Sequence, residues 1–480
     1  MSVFRTAFCL AVACTVIIPR VAWSATDPEL AQMREEIRVL RAQYEARIRA
    51  LEQKLETLQP LPASAATPRS LKEEGPRASV DSGSGVPGNE ATVTPPANIS
   101  SGPAASGIAA FNPAISVVLQ GTYANLSRDP QRYSLAGFQK ADEVSPGRRG
   151  LGVGESELTM SANVDDRFAG NLIVSLTPDN RVSIEEAYGF MPSLSNGLVP
   201  KFGRFLSGVG YLNEQHQHAW DFVDAPLAYQ ALLGGQFAQD GAQLKWIAPT
   251  DQFLEFGAEI GNGDSFPGSF RNRNGAGALA LFGHTGGDIG ASHSWRAGVS
   301  YLETRAADRA ATVLGPTRDL VDVGFSGTSR LVIADFVWKY APNGNSRERN
   351  FKLQGEYLWR RERGDVTVDT AATGAQPAPF ASRQSGWYMQ GTYQFQPYWR
   401  VGARYDRLDP GTPRYAGNAD LLDMSTFRSN RAAVMLDYTP SEFTRFRLQY
   451  ADSKTRGDAS DRQLYLQYIL TLGAHGAHRF

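Results

Sequence analysis

A strict period-two alternation along the C-terminal part of this chain constrains its fold more than any other feature. Within Gln463–Leu472, the side chains of Leu464, Leu466, Tyr468, Leu470 and Leu472 fall on one face. Trp399, Val401, Ala403 and Tyr405 alternate with Arg400, Gly402, Arg404 and Asp406. Phe351, Leu353, Gly355, Tyr357 and Trp359 alternate with Lys352, Gln354, Glu356, Leu358 and Arg360. Successive side chains of a strand point to opposite faces, so these segments read as strands with one apolar and one polar side. Many begin or end in Trp, Tyr or Phe, as membrane-interface girdles do.

About sixteen such segments follow one another. They are centred near Leu119, Leu158, Leu172, Ala187, Phe202, Leu244, Phe256, Ala280, Val299, Asp335, Gly355, Gly391, Ala403, Val434, Leu448 and Tyr468. Short turns fall at Asp165-Asp166-Arg167, Pro249-Thr250-Asp251, Gln396-Pro397-Tyr398 and Pro440-Ser441-Glu442. Long loops are expected near residues 127–150, 206–240, 262–274, 306–329, 363–384, 409–426 and 453–461; Thr177–Arg181 is short where a long loop belongs. Short turns at one end, long loops at the other and an even strand count define an outer-membrane barrel with both termini in the periplasm. Residues 108–480 give 373 positions, about 23 per strand and connection for sixteen strands.

Composition agrees once the alternation is known. A mean hydropathy of −0.32 excludes a multi-span helical membrane protein, yet it suits a barrel that spends half of each strand on polar residues. A formal net charge of −1 excludes a dedicated nucleic-acid binder.

The N-terminal quarter has a different texture. Arg5, the apolar run Ala7–Ile18 and Ala22-Trp23-Ser24 have the layout of a secretory signal peptide over residues 1–24. Both cysteines, Cys9 and Cys14, lie inside it, so the mature chain has no thiol. Over residues 25–58, Leu30, Ile37, Tyr44, Leu51 and Leu58 recur every seven residues with Met33 and Leu40 on a companion seam. This predicts a short periplasmic α-helical coiled coil, a candidate for homo-oligomer formation or cell-wall contact. Residues 59–107 are rich in Pro, Ala, Ser, Gly and Thr and read as a disordered linker before the barrel of 108–480. The expected fold class is therefore an all-β membrane barrel of about 16 antiparallel strands behind a helical arm, placed in the outer membrane of a Gram-negative cell.

Phe111–Ser116, the stretch Gly210-Tyr211-Leu212-Asn213-Glu214-Gln215-His216-Gln217-His218-Ala219-Trp220-Asp221-Phe222-Val223-Asp224-Ala225-Pro226 and the tail Gly473–Phe480 resemble a proteobacterial outer-membrane family commonly labelled "zinc-regulated TonB-dependent outer membrane receptor". The layout is similar to phosphate-selective and siderophore porins. The resemblance implies metal or metal-chelate uptake. A TonB-dependent transporter has about 22 strands around a folded plug; at the spacing found here it would need about 500 residues. The length therefore favours a porin-like channel.

His216-x-His218 lies in the longest expected loop, flanked by Asn213, Glu214, Asp221 and Asp224. Imidazoles beside carboxylates are ligands for Zn²⁺, and equally they pack a folded loop against a wall. In general porins this third loop folds into the lumen. His475 and His478 form a second pair in the C-terminal tail. Charges expected to line the lumen are Glu155 and Glu157 early in the barrel, with Glu185 and Glu186 after them, then Lys245, Lys352, Arg360, Arg400, Arg404, Arg431, Arg445 and Arg447. An acidic wall facing a basic wall would set up a transverse field. No enzyme motif stands out and no cofactor is expected, with Zn²⁺ a candidate cargo or loop ligand. The expected function is passage of a small solute, a metal ion or chelate included. An energised receptor and a structural tether to the cell wall are the alternatives.

Overall fold

A computed structural model describes residues 113–473, save 178–180, 193, 371–373, 423–425 and 458–459. The expected leader, coiled coil and linker, and the tail with His475, His478 and Phe480, lie outside the described residues. The strands are β1 (Ala114–Leu126), β2 (Gly150–Val153), β3 (Ser156–Asn163), β4 (Ala169–Leu176), β5 (Val182–Phe190), β6 (Leu198–Leu206), β7 (Ala238–Ile247), β8 (Phe253–Gly261) and β9 (Ala278–Ile289). They continue with β10 (His293–Leu314), β11 (Leu320–Tyr340), β12 (Asn350–Thr370), β13 (Gly374–Gln396), β14 (Trp399–Asp409), β15 (Arg414–Tyr415), β16 (Asn430–Ser441), β17 (Thr444–Lys454) and β18 (Asp461–Gly473).

Neighbouring strands pair antiparallel, and β1 pairs with β18 from Ser116↔Gly473 to Leu126↔Gln463, so the sheet closes on itself. β2 and β15 are short additions that pair with β1 and β13. The other sixteen strands form the wall, and each of the sixteen expected centres falls in a different one of them.

Burial is inverted relative to a soluble sheet. In β18, Leu466 and Tyr468 are 49% and 46% exposed while their neighbours Gln463 and Gln467 are buried at 1% and 5%. The same holds for exposed Val401 and Tyr405 beside buried Arg404 and Asp406. A closed sheet with all its ladders paired and an apolar outer face is the β-structure that hydrocarbon tolerates. Among the described residues no helix is long and apolar enough to cross a membrane.

Two expected loops are largely strand. β10 and β11 pair as far as Leu314↔Leu320, and β12 and β13 as far as Thr370↔Gly374, so 306–329 and 363–384 are mostly extended hairpin. A bulge between Ala306 and Arg309, with Asp308 at φ 52°, breaks the alternation that would have shown the continuity. The 22 residues of β10 span about 70 Å at ~3.3 Å each, against an apolar band of about 25 Å. The hairpins therefore project beyond the membrane, where Val313, Val323, Phe325, Val366, Val368 and Phe380 bury a small core with Leu422.

Inside the barrel the third connection on the long-loop side, residues 207–237, folds inward. Its residues Val209, Leu212, Trp220, Leu227, Leu232 and Phe237 share one buried cluster with the inward-facing Leu302, Leu331, Ile333, Leu358, Tyr388 and Leu408. Tyr133, Leu135 and Phe138 of the first loop join the same cluster.

Candidate functional site

The inward course of the loop starts at Gly210. Its φ of +72° suits glycine, and a Cβ there would collide with the Glu356 carboxylate. Glu356 on β12 is the loop's central anchor. It accepts the N–H groups of Tyr211 and Leu212 at 3.2 and 3.0 Å and the hydroxyls of Tyr229 and Tyr388 at 2.9 and 2.6 Å. Tyr229 lies in α1 (Leu227–Leu232), a short helix that packs closely on the wall because Gly386 has no side chain to hold Ala228 away.

Beyond Gly210 the loop touches two walls of opposite charge. On the late strands, Asp221 accepts Lys352 Nζ at 2.9 Å, Arg400 Nη1 at 2.8 Å and Gln390 Nε2 at 3.0 Å. Asp224 binds Arg404 Nη2 at 3.2 Å and Gln449 Nε2 at 2.8 Å, and pairs with Arg431. The wall also carries acids of its own: Asp437 pairs with Arg400 and Arg447 at 2.7 Å each, and Asp406 pairs with Arg404 at 3.0 Å. Arg445 donates to the His218 carbonyl at 3.2 Å, and Lys245 pairs with Glu214 of the loop. The expected lumen cations are thus brought inside, Arg445 against backbone carbonyls and the others paired with carboxylates, and not as a bare ladder.

On the early strands, the β4–β5 pairing shifts between Ile173↔Glu186 and Val174↔Ile184, leaving Glu185 as the extra residue of a bulge. A bulge turns consecutive side chains to the same side, and both Glu185 and Glu186 reach the loop. His216 Nδ1 stands 3.1 Å from Glu185 Oε1 and 3.7 Å from Glu157 Oε2, and its Nε2 is 3.1 Å from Glu186 Oε2. His218 Nδ1 meets the other oxygen of Glu157 at 2.8 Å, and the two imidazoles stack with centroids 5.8 Å apart. Glu155 adjoins Glu185 and Glu157 but lies just before β3, not on it. Burial works against charge on His216, but Glu185, Glu186 and Glu157 outweigh it and hold this ring well above the ordinary imidazole range. Burial and the neighbouring His216 push His218 down to about 3.

The structure brings His216, His218, Glu155 and Glu157 into one cluster, and Arg400, Arg404, Arg431, Arg445 and Arg447 together on the late strands β14, β16 and β17. Sequence reading missed the anchoring role of Glu356 and the balancing role of Asp437. Their signal was present: each is a carboxylate at an inward position of an alternating strand.

Fold and site together define a sixteen-stranded outer-membrane β-barrel of porin-like fold, with one long loop folded into its lumen. No family model matches the chain. A sequence from Aquifex aeolicus (strain VF5), described as an uncharacterized protein, is 27% identical over 412 residues, 77% of this chain and 80% of its own length. Among solved structures, the outer membrane channel DcaP of Acinetobacter baumannii pairs with 76% of this chain and 99% of its own at 16% identity and a TM-score of 0.46. A loop-deletion mutant of OmpT, an outer membrane protein of Vibrio cholerae, covers 76% and 100% at 13% identity and a TM-score of 0.46. An anion-selective porin from Comamonas acidovorans covers 75% and 100% at 11% identity and a TM-score of 0.43. Likeness at this level carries no weight for function; the barrel class rests on the chain's own closed register and inverted burial.

Proposed function

We propose that this protein is a porin-like channel of the outer membrane, passing a small hydrophilic solute along a route set by the loop 207–237. The carrying observation is that loop, held between a basic wall through Asp221 and Asp224 and an acidic wall through His216 and His218. Opposed charges across a lumen orient dipolar solutes and disfavour apolar ones. A metal ion or metal chelate is the solute class to which the resemblance to the zinc-regulated family points. The helical arm would serve oligomer formation. Planar-bilayer conductance and liposome solute flux of the purified protein test the reading: discrete channels with measurable flux are expected, and neither appearing would refute it.

A second reading, to which the resemblance to the zinc-regulated family points, is a receptor opened by energy from TonB. Uptake that vanishes when the TonB system is deleted would select it, whereas uptake that persists keeps the passive channel. A tether role would instead show as envelope damage on removal of residues 25–107, with permeability unchanged.

A further inference from the structure

We infer that Glu157, Glu185 and His216 form a binding site for one divalent transition-metal ion of the Zn²⁺ type, which joins the loop 207–237 to the barrel wall. One ligand atom from each residue lies within 4.8 Å of the other two. Tetrahedral ligands at Zn²⁺ bond lengths stand about 3.4 Å apart. The separations of 3.1 and 3.7 Å from His216 Nδ1 to Glu185 and Glu157 bracket that value.

The contacts around these atoms suit a metal better than a plain ion pair. His216 Nδ1 is buried and makes no hydrogen bond of proper geometry, although two carboxylate oxygens face it. A proton on Nδ1 can point at one oxygen; a metal ion between the three atoms satisfies all of them. The other edge of each ligand is already held. His216 Nε2 meets Glu186, Glu157 Oε1 meets His218 Nδ1, and Glu185 Oε2 accepts Ser175 Oγ at 3.0 Å. A carboxylate on the far nitrogen of a ligating histidine is the usual second support of a metal site. The bulge at Glu185 is the backbone feature that makes the arrangement possible, because a regular strand would turn Glu185 or Glu186 away. One imidazole and two carboxylates, with a position left for water or solute, suit Zn²⁺ or Co²⁺.

The test is equilibrium dialysis of the full chain in detergent, stripped with chelator and then titrated with Zn²⁺. A His475→Ala/His478→Ala background removes the tail histidines from the count. One ion per chain is expected, with Co²⁺ giving the visible absorption of a low-coordinate site. Glu185→Gln and His216→Ala should abolish that stoichiometric ion, and Glu186→Gln should weaken it by about 10–100-fold. Heat-modifiable migration on gels confirms that each variant barrel is folded, and Asp221→Asn, on the other wall, should bind as the parent does. No stoichiometric ion in the parent, or an ion retained by folded Glu185→Gln and His216→Ala, overturns the site. Dialysis reads the ion and not flux, so the result stands apart from the channel reading.

Discussion

Replacing Asp221 and Asp224 by Asn should release the loop 207–237 from the basic wall, and the expected size of the effect follows from which cations lose their partners. Arg400 keeps Asp437 at 2.7 Å when Asp221 is neutralised, so Lys352 is the cation left without a carboxylate among the described residues. Arg404 keeps Asp406 at 3.0 Å when Asp224 is neutralised, so Arg431 is the one orphaned. Removing one partner of a buried ion pair costs about 3–5 kcal/mol. Lys352 retains some solvent and belongs near the lower figure; Arg431, with two guanidinium nitrogens already lacking partners, belongs near the upper. Every 1.4 kcal/mol is a factor of ten, so each substitution should lower the ratio of seated to displaced loop by roughly a hundredfold or more. The assay is single-channel recording in planar bilayers with reversal potentials in a salt gradient. Conductance or open probability should rise, and selectivity should move toward anions because two negative charges leave the lumen. Folded variants with the parent's conductance, selectivity and protease resistance within the loop would refute the reasoning.

Glu356→Ala removes the acceptor for two loop N–H groups and two tyrosine hydroxyls, at roughly 1–3 kcal/mol for each buried group left unsatisfied. Limited proteolysis should then cut within 207–237, and Glu356→Gln, whose amide nitrogen must face the N–H of either Tyr211 or Leu212, should be cut at an intermediate rate; a Glu356→Ala loop as resistant as the parent's would show that the anchor is not this hydrogen-bond set. Leu466→Arg on the outer face should lose about 2–4 kcal/mol of folding stability in vesicles, whereas inward Gln467→Glu, opposite Arg447, should lose far less. Similar losses at both positions would contradict a lipid-facing exterior. Deleting residues 25–107 should leave the conductance of refolded barrel unchanged, and a lost or altered channel would place the arm in the permeation path.

The wall was legible because period two is a property of every residue in it. Leu464–Leu472 and Trp399–Asp406 report their faces locally, with no knowledge of their partners. The projecting ends of β10 to β13 were not, since past Ala306 the inward side chains meet Tyr415, Leu421 and Leu422 and not a lumen, and the pattern of small and charged residues there imitates a loop. The charged lumen was legible in sign and not in arrangement. Lysines and arginines on the late strands announce a basic wall, but their compensation by Asp221 and Asp224 depends on a loop path that only tertiary contacts fix.

The loop path leaves one trace in the sequence, and it lies where the alternation fails. Glu185 and Glu186 are consecutive in a strand, which a regular ladder would place on opposite sides, one of them in lipid. A carboxylate in the apolar band is disfavoured strongly enough that the backbone takes a bulge instead. The bulge costs a ladder position in β5, and that cost is offset only if both carboxylates find partners inside. His216 and Ser175 are those partners, and His216 is brought to them from a loop that begins at a left-handed glycine and is anchored by Glu356. An adjacent acid pair in an otherwise alternating strand therefore predicts both a bulge and a cationic group facing it, and in this chain it points at the loop that crosses the lumen.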